Sequence, residues 1–378
     1  MKIAVVGGGP AGLYFAALMK RDNPAHQIRV YERNPRNVTW GFGVVFSDRA
    51  LEFLRADDEA MFQYLTPHME TWPDLTIVHQ DVRVPIDGNG FAAIGRLHLL
   101  NLLQAFAEGL GVVVDNGTDI ASLADLAEAD LIVGADGANS VLRRGNEARF
   151  GTTIDVRPNK FIWYGTSKAF DTLTLTFRTN EHGVFCAHHY RYSPDRSTFL
   201  VEVDAATWER AGFAEMSEAD TIAYCRRVFA ADLDGHPILT NNSYWRNFPA
   251  IWNERWSFDN VVLIGDALRT AHFSIGSGTR LAMEDAIALF KAFKTEGGSI
   301  AVALARFEAI RRPPMEKIYA AARVSFEWYE GMAALMSLAP YELAYRYMTR
   351  TGRVEPQVLQ RMAPRFFARY QEAKTGTR

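Results

Sequence analysis

Residues whose types and spacing suggest chemistry begin at the N-terminus, where Gly7, Gly9 and Gly12 follow a short apolar run and precede another. In a G-x-G-x-x-G series the first glycine allows a tight turn, the second admits a pyrophosphate, and the third lets a helix pack on the strand before it. The positive end of that helix would carry the phosphates. Glu32, twenty residues after Gly12, could accept hydrogen bonds from an adenosine ribose. The spacing therefore favours a dinucleotide site over a glycine turn without a ligand.

Two further pairs of glycine and aspartate follow apolar runs. Asp136 precedes Gly137 after the run 131–133, and Asp266 follows Gly265 after the run 261–264. Short apolar runs of this kind are typical of buried parallel strands. An aspartate at such a strand end could accept hydrogen bonds from a cofactor, although a helix cap or a turn is the plainer interpretation of Asp266.

Composition excludes several classes of function. The chain has 378 residues, enough for two closely packed domains, and a formal net charge of −3, which argues against nucleic acid as a partner. Cys186 and Cys225 form no ligand cluster, so no metal site and no disulfide is expected. The apolar N-terminal run is too short for a signal sequence or a membrane span, and we expect a cytoplasmic protein that does not contact membranes.

The elements that must position these residues follow from periodicity. Apolar alternation between 160 and 203 predicts an antiparallel sheet inserted into the nucleotide domain, with a capped helix over 217–231. Other predicted helices cover 49–55, capped by Ser47 or Asp48, and 97–110, opened by Gly95 and Arg96; the segment 300–328 should break or kink at Pro313 and Pro314. We place the nucleotide domain at 1–155 and 258–300, the inserted sheet at 156–257 and a helical segment at 301–378.

The three glycine and aspartate signals recur together in one family. With them stand four stretches, 40–48 (WGFGVVFSD), 161–167 (FIWYGTS), 271–279 (AHFSIGSGT) and 281–287 (LAMEDAI). On these stretches the chain resembles the class A flavin-dependent aromatic monooxygenases over nearly its full length. It is most similar to members that act on salicylyl-CoA and 2-aminobenzoyl-CoA, and more distantly to the tryptophan hydroxylase of the violacein pathway. The resemblance implies an α/β, Rossmann-like FAD-binding fold of the p-hydroxybenzoate hydroxylase type, with an inserted antiparallel-sheet substrate domain and C-terminal helices.

The resemblance also implies which residues hold FAD. Arg96 would pair with phosphate or ribityl oxygens, and the helix that begins near Gly276 would place its N–H groups at the flavin pyrimidine edge, where reduced flavin carries negative charge. The loop 41–45 would lie over a flavin that swings between two positions, although a rigid apolar turn fits its composition equally well. The full set implied for the cofactor is Gly7, Gly9, Gly12, Glu32, Arg33, Gly43, Val44, Val45, Arg96, Asp136, Asp266, Gly276 and Gly278.

The inserted sheet should cover the substrate. Trp163, Tyr164 and Tyr190 are the candidates to contact the aromatic ring, although aromatic residues on strands are more often core. His188 and His272 are the candidates to position an ortho hydroxyl or amine; His189 should point away from His188, because neighbouring strand residues face opposite sides.

One departure from the family separates this chain from most members. Arg269 stands where they have histidine, and the members that act on CoA thioesters share the stretch 271–279 instead. Arg269 and Arg280, with Arg346, Arg350 and Arg353, could meet the phosphates of CoA, although arginines on helices are usually solvated.

The implied reaction is hydroxylation of an aromatic ring by O2. FAD would be reduced by NADH or NADPH and would form a C4a-hydroperoxide, and the substrate would be an aryl-CoA thioester such as salicylyl-CoA, hydroxylated at position 5 to gentisyl-CoA. Two alternatives stay open: hydroxylation of a free indole or amino acid such as tryptophan, and a flavoprotein reductase that does not oxygenate. A homodimer is compatible with the family.

Overall fold

A computed structural model describes residues 1–297 and 299–376. The strands of this described chain are β1 Lys2–Val6, β2 Gln27–Glu32, β3 Gly43–Ser47, β4 Glu70–Trp72, β5 Leu75–His79, β6 Val82–Ile86, β7 Phe91–Gly95, β8 Val113–Asn116, β9 Leu131–Gly134, β10 Thr152–Thr166, β11 Leu173–Asn180, β12 Gly183–Ser193, β13 Arg196–Val203, β14 Ile238–Leu239, β15 Arg246–Asn253, β16 Ser257–Phe258 and β17 Val261–Leu263. Its helices are α1 Pro10–Asp22, α2 Asp48–Asp57, α3 Glu59–Leu65, α4 Arg96–Gly109, α5 Val141–Arg144, α6 Glu147–Phe150, α7 Ala205–Arg210, α8 Glu218–Val228, α9 Ala230–Leu233, α10 Gly278–Thr295, α11 Ile300–Glu330, α12 Pro340–Thr349, α13 Pro356–Met362 and α14 Pro364–Thr375.

A six-stranded sheet with the order β16-β17-β9-β1-β2-β8 carries the apolar runs of the sequence. All its pairings are parallel except that of β16 with β17. Val5, Val133 and Val262 are each 0% exposed, as expected for central strands covered on both faces. The C-terminal ends of β1, β9 and β17 meet at one edge, where a parallel sheet forms its ligand crevice. We call this crevice the cofactor cleft.

An eight-stranded sheet, here called the roof sheet, has the order β14-β10-β13-β12-β11-β5-β6, with β15 also paired to β10. Its pairings are antiparallel apart from that of β5 with β11. The roof sheet therefore recruits β5 and β6, which our sequence interpretation assigned to the segment 1–155. β10 also begins at Thr152, ahead of the predicted boundary at 156.

A small sheet, β3-β7-β4, joins the two larger sheets, and the C-terminal helices pack beside β5 and β6. Of the break or kink expected at Pro313 and Pro314, the break does not occur, because α11 continues through both prolines. Its helical course is held on both sides of the proline pair by the buried side chains of Arg311 and Met315. Tertiary packing thus outweighs the hydrogen bonds that two prolines remove.

The predicted helix starts agree with the structure where capping residues were visible in the sequence. Ser47 caps α2 and Ser217 caps α8, each through its side chain. Within residues 1–297 and 299–376, no helix has both the length and the apolar character that a membrane span needs. The same residues contain no cluster of three or more histidine, cysteine or acidic side chains able to hold a metal ion.

Candidate active site

The glycine turn after β1 forms one wall of the cofactor cleft. Gly7 has a φ of 109°, and a Cβ there would lie 2.3 Å from the carbonyl oxygen of Ala135. A Cβ on Gly12 would lie 2.2 Å from the carbonyl oxygen of Gly7, whereas at Gly9 the nearest atom would be 3.9 Å away. α1 starts at Pro10 directly after Gly9, so the N–H groups of its first turn have no partner within the helix. A tight, side-chain-free turn before a helix start can accommodate a pyrophosphate.

Glu32, at the end of β2, is tied into the same turn. Its carboxylate accepts hydrogen bonds from the Gly8 N–H at 2.8 Å, the Asn34 N–H at 2.8 Å and the Asn34 side-chain amide at 2.6 Å. A carboxylate offers about four acceptor positions, so one is left for a ribose hydroxyl. Arg33 is exposed beside it. Glu32 therefore also fixes the glycine turn, which the sequence did not reveal.

Asp266 and Arg96 bring opposite charges to the cofactor cleft. The side chain of Asp266 opens into the cleft from the turn after β17, and desolvation by the surrounding walls raises its pKa, opposed by the charges of Arg96 and Arg269. Burial lowers the pKa of Arg96, opposed by Asp266 and then Tyr190. The Arg96 N–H donates to the carbonyl of Phe42 at 2.7 Å, which ties the start of α4 to the loop before β3. These groups can bind the polar middle of a dinucleotide.

An orphaned carboxylate oxygen and a second helix start complete the cleft. Oδ2 of Asp136 accepts a hydrogen bond from the Val141 N–H at 2.7 Å, while its buried Oδ1 has no partner among the described residues. Burial raises the pKa of Asp136. α10 begins with Gly278-Thr279-Arg280, and a Cβ on Gly278 would meet no heavy atom of the described chain within 4 Å. An open, positively polarised helix start favours negative charge. Together with the glycine turn, these features fit FAD.

The start of β3 and the preceding residue Phe42 are attached to the roof sheet at several points. The Tyr190 hydroxyl donates to the carbonyl of Gly43 at 2.9 Å, and the Gly43 N–H donates to Oγ1 of Thr198 at 2.9 Å. A Cβ on Gly165 would lie 2.5 Å from the ring of Phe42. Val44 and Val45, within β3, also pair with β7. The segment 41–45 was expected to be either a flexible loop over the flavin or a rigid apolar turn. The contacts from Phe42 onward favour the rigid turn.

Alternation along the roof sheet divides the predicted substrate residues between two faces. Leu200 of β13 is the cross-strand partner of Trp163 on β10 and of His188 on β12, the two strands that flank β13. Cross-strand partners point to the same face, so these three side chains share one face of the roof sheet. Tyr190 follows two residues after His188 and shares that face. Tyr164 points to the other face, where it is fully buried in the cluster under α8. The structure brings Trp163, His188 and Tyr190 together and leaves Tyr164 in the core.

His188 is paired with a carboxylate that we did not identify from the sequence. Nε2 of His188 lies 3.1 Å from Oε2 of Glu202, and the Asn159 amide donates to Oε1 of Glu202 at 2.9 Å. Glu202 is 1% exposed. Burial alone would raise the pKa of Glu202, but the hydrogen bonds from His188 and Asn159 help to lower it on balance. The signal in the sequence was a single acidic residue in the strand TFLVEV (198–203), in step with Leu200.

His272 is a buried capping residue. Its Nδ1 accepts a hydrogen bond from the Ser274 N–H at 3.2 Å, at the start of the 3-10 turn Phe273–Ile275. The ring packs against Phe248 and Phe326, with centroids 4.6 and 5.6 Å apart. Burial lowers the pKa of His272 to about 4, so the ring is neutral near pH 7. His272 thus shapes the turn that leads into α10.

Four of the five arginines proposed for CoA phosphates are engaged by other residues of the chain, and of the five only Arg269 is buried. Arg269 is 6% exposed and forms a double hydrogen bond with Asp285, which also accepts from the Gly265 N–H at 3.0 Å. The CoA expectation for Arg269 is therefore wrong, because its guanidinium instead holds the turn ahead of Asp266. Arg280 pairs with Glu284, and Arg346 pairs with Glu342. Arg350 donates to the Ser325 hydroxyl and to the carbonyl of Ser274, whereas Arg353 is exposed.

Two family descriptions match the chain in the regions that build this site. The FAD binding domain matches residues 111–320, which include the roof-sheet strands β10 to β15 and the start of α10. The NAD(P)-binding Rossmann-like domain matches residues 5–53, which include the glycine turn and Glu32. Both matches fall on segments that line the cofactor cleft.

Three curated proteins are similar to the chain over most of its length. Salicyloyl-CoA 5-hydroxylase of a Streptomyces species is 41% identical, covering 93% of this chain and 70% of that protein. The 3-hydroxy-4-methyl-anthranilyl-[aryl-carrier protein] 5-monooxygenase of Streptosporangium sibiricum is 39% identical, covering 87% and 89%. Protodeoxyviolaceinate monooxygenase of Chromobacterium violaceum is 34% identical, covering 94% and 96%. By their names, the first two act on aryl thioesters and all three are oxygenating enzymes.

Proposed function

The chain belongs to the class A flavin-dependent aromatic monooxygenases, and we propose that it hydroxylates the ring of an aryl-CoA thioester, with salicylyl-CoA as substrate, gentisyl-CoA as product and NADH or NADPH as electron donor. The family matches and the relatives confirm four sequence predictions. These are the family, the α/β fold with a Rossmann-like FAD-binding domain, the assignment as an enzyme, and FAD as cofactor. The choice of substrate rests on the 41% identity with salicyloyl-CoA 5-hydroxylase across 93% of this chain.

The cofactor cleft would hold FAD through its main chain and a few charged groups. The glycine turn Gly7 to Gly12 receives the pyrophosphate, Glu32 the ribose, and Arg96 with Asp266 the polar chain that follows. FAD held there would supply the redox chemistry, namely acceptance of hydride from a nicotinamide and activation of O2 for transfer of one oxygen atom to the ring. The start of α10 stabilises negative charge on the flavin side of the site.

The roof sheet would hold the substrate ring and keep water out. Trp163, His188 and Tyr190 share one face of the roof sheet, and Tyr190 is bonded directly to Gly43 at the start of β3. Phe273 closes the same region, with its ring centroid 4.8 Å from Phe161 and 5.5 Å from His188. Aromatic walls of this kind exclude water, which strengthens each polar contact made to the ring.

Hydroxylation of a free indole or amino acid is the second candidate. The observation that favours it is the 34% identity with protodeoxyviolaceinate monooxygenase, whose name specifies no thioester. The two candidates predict different entrances: a CoA thioester needs a cationic surface at the mouth of the site, and a free acid does not. A reductase without oxygenation has less support, because all three relatives are named for oxygenation.

The test is consumption of NADH and of NADPH by the FAD-loaded protein with salicylyl-CoA, 2-aminobenzoyl-CoA, salicylate and tryptophan in turn, with the products identified by mass spectrometry. Gain of one oxygen atom on a CoA thioester, with substrate-triggered coenzyme use, is the expected result. Gain of oxygen only on a free acid or on tryptophan would overturn the thioester and leave the hydroxylase. Coenzyme oxidation with every substrate unchanged would revive the reductase.

A further inference from the structure

We propose that Glu202 is a positioning residue that makes His188 a hydrogen-bond acceptor for a hydroxyl or amino group beside the carbonyl on the substrate ring. This inference rests on the proposed function and deepens it, since it specifies which rings the site accepts. The substrate class is an aromatic carbonyl compound with a proton-donating ortho substituent.

The hydrogen bond to Glu202 decides which nitrogen of His188 carries the proton. A carboxylate only accepts, so the Nε2 that lies 3.1 Å from Oε2 of Glu202 must donate. In the neutral imidazole the other nitrogen then has a free lone pair. Nδ1 of His188 is bonded to no residue of the described chain, and the side chain is 12% exposed. It is therefore open to a donor from a ligand.

Glu202 is itself held in place. Asn159, 5% exposed, donates to Oε1 of Glu202 at 2.9 Å, so that both carboxylate oxygens are engaged. The Cys186 thiol, which burial keeps protonated by raising its pKa, lies 3.7 Å from Nε2 of His188. A buried carboxylate that Asn159 holds through one oxygen can orient an imidazole through the other.

Among the charged and titratable groups around His188, Glu202 is the one that forms an ion-pair contact with it. Tyr329 of α11 packs on the ring at a centroid distance of 5.1 Å, and Arg350 lies 6.0 Å from the Tyr329 ring centroid. His272, on the loop ahead of α10, is neutral because burial lowers its pKa to about 4. Arg157, which faces His272, is paired with Glu330 and Asp155.

The chemical need for such an acceptor comes from the thioester. A thioester withdraws electrons from the ring, whereas attack by an electrophilic oxygen requires an electron-rich ring. A hydroxyl or amine that donates a hydrogen bond to Nδ1 of His188 gives more electron density to the ring, and its proton stays with the substrate throughout. A ring with a methoxy group at that position has no donor and would leave the acceptor unpaired, which is costly in a dry site.

The experiment crosses two variants with two substrates on the FAD-loaded enzyme. Glu202→Gln keeps the volume of the side chain but loses its charge, and we expect kcat/KM for salicylyl-CoA to fall about 10- to 100-fold. With 2-methoxybenzoyl-CoA the same variant should change less than about threefold, because that substrate makes no use of the acceptor. Glu202→Asp should restore part of the loss. A control, Glu330→Gln, removes another paired carboxylate beside the same sheet and should affect both substrates equally.

Equal losses with both substrates in Glu202→Gln would mean that Glu202 is structural, and unchanged kcat/KM would mean that it is dispensable; either result overturns the proposal. If the variants do not fold, the wild-type holoenzyme decides, since it should bind salicylyl-CoA at least about tenfold tighter than 2-methoxybenzoyl-CoA by flavin difference spectra. Equal affinities would overturn it. If the wild type hydroxylates no thioester, the proposed function fails, and the role of His188 and Glu202 is then tested with free acids. The same flavin difference spectra compare the binding of salicylate with that of 2-methoxybenzoate. If neither acid binds, or if both bind equally well, the proposal for Glu202 is overturned.

Discussion

The cofactor cleft and the roof sheet offer opposite kinds of contact to the ligands proposed for them. The cleft relies on the main chain, because Gly7 and Gly12 have no side chain at points where a Cβ would lie between 2 and 3 Å from neighbouring backbone atoms. The roof sheet relies on side chains from different strands, such as His188 on β12 and Glu202 on β13. A site made of main chain tolerates no added atom, whereas a site made of side chains depends on charge and on hydrogen-bond direction. The two regions should therefore fail in different ways when mutated.

The largest effect should follow from adding atoms to the cleft. Gly12→Val would place a Cβ 2.2 Å from the carbonyl oxygen of Gly7, and that clash must displace either α1 or the glycine turn. We expect loss of bound FAD, by more than about 100-fold in affinity, measured by flavin fluorescence titration. Gly109→Ala is the control, because a Cβ at Gly109 meets no heavy atom of the described chain within 4 Å. Retention of FAD by Gly12→Val would contradict the contrast between the regions.

A buried charge supports the cleft from behind, and its removal should cost stability. Asp285 is 0% exposed and pairs with Arg269 and Arg311, so Asp285→Asn leaves the buried guanidinium of Arg269 without its paired carboxylate and leaves Arg311 with Glu284 alone. We expect a loss of about 3–5 kcal/mol in the free energy of unfolding, measured by urea denaturation at fixed FAD concentration. Glu327→Gln, which breaks an exposed pair with Arg323, should cost less than about 1 kcal/mol. Similar losses in the two variants would refute the role assigned to Asp285.

Acid should destabilise the loop between the two regions through His272. The pKa of His272 is lowered from 6.5 to about 4 in the folded chain, so between these values the unfolded chain binds a proton that the folded chain does not. Stability therefore falls as pH falls from 6.5 toward 4, and the His272 contribution lost by pH 5 is about 2 kcal/mol. His272→Asn keeps an acceptor for the Ser274 N–H but does not titrate.

The check is the difference in unfolding free energy between pH 7 and pH 5, compared in the wild type and in His272→Asn. The variant should lose less stability on acidification, by about 2 kcal/mol. An identical pH dependence in the two proteins would show that His272 titrates normally.

The smallest effect should come from the hydrogen bond that joins the two regions. Burial raises the pKa of Tyr190 to about 12, so the hydroxyl stays protonated and donates to Gly43. Tyr190→Phe should cost about 1 kcal/mol of stability and should speed hydrogen exchange in β3, measured by mass spectrometry. Tyr192→Phe, on the same strand and face, is the control. Faster exchange in both variants would assign the effect to the aromatic packing instead of the hydrogen bond.

The sequence alone determined the family, the cofactor and the strands of the parallel sheet. The glycine turn and Glu32 lie within one β-turn-helix-β unit, and short apolar strands covered on both faces can be read from a few consecutive residues. Capping serines likewise located α2 and α8, because a cap acts on residues three positions away.

Tertiary structure alone decided how the roof sheet is built. The pairing of Glu202 with His188 depends on the register between two strands, and the burial of Arg269 depends on Asp285, sixteen residues away. The continuous course of α11 through Pro313 and Pro314 depends on its packing. Sequence patterns report contacts within a turn or a strand, whereas these features arise from contacts between distant elements, whose energies local propensity does not contain.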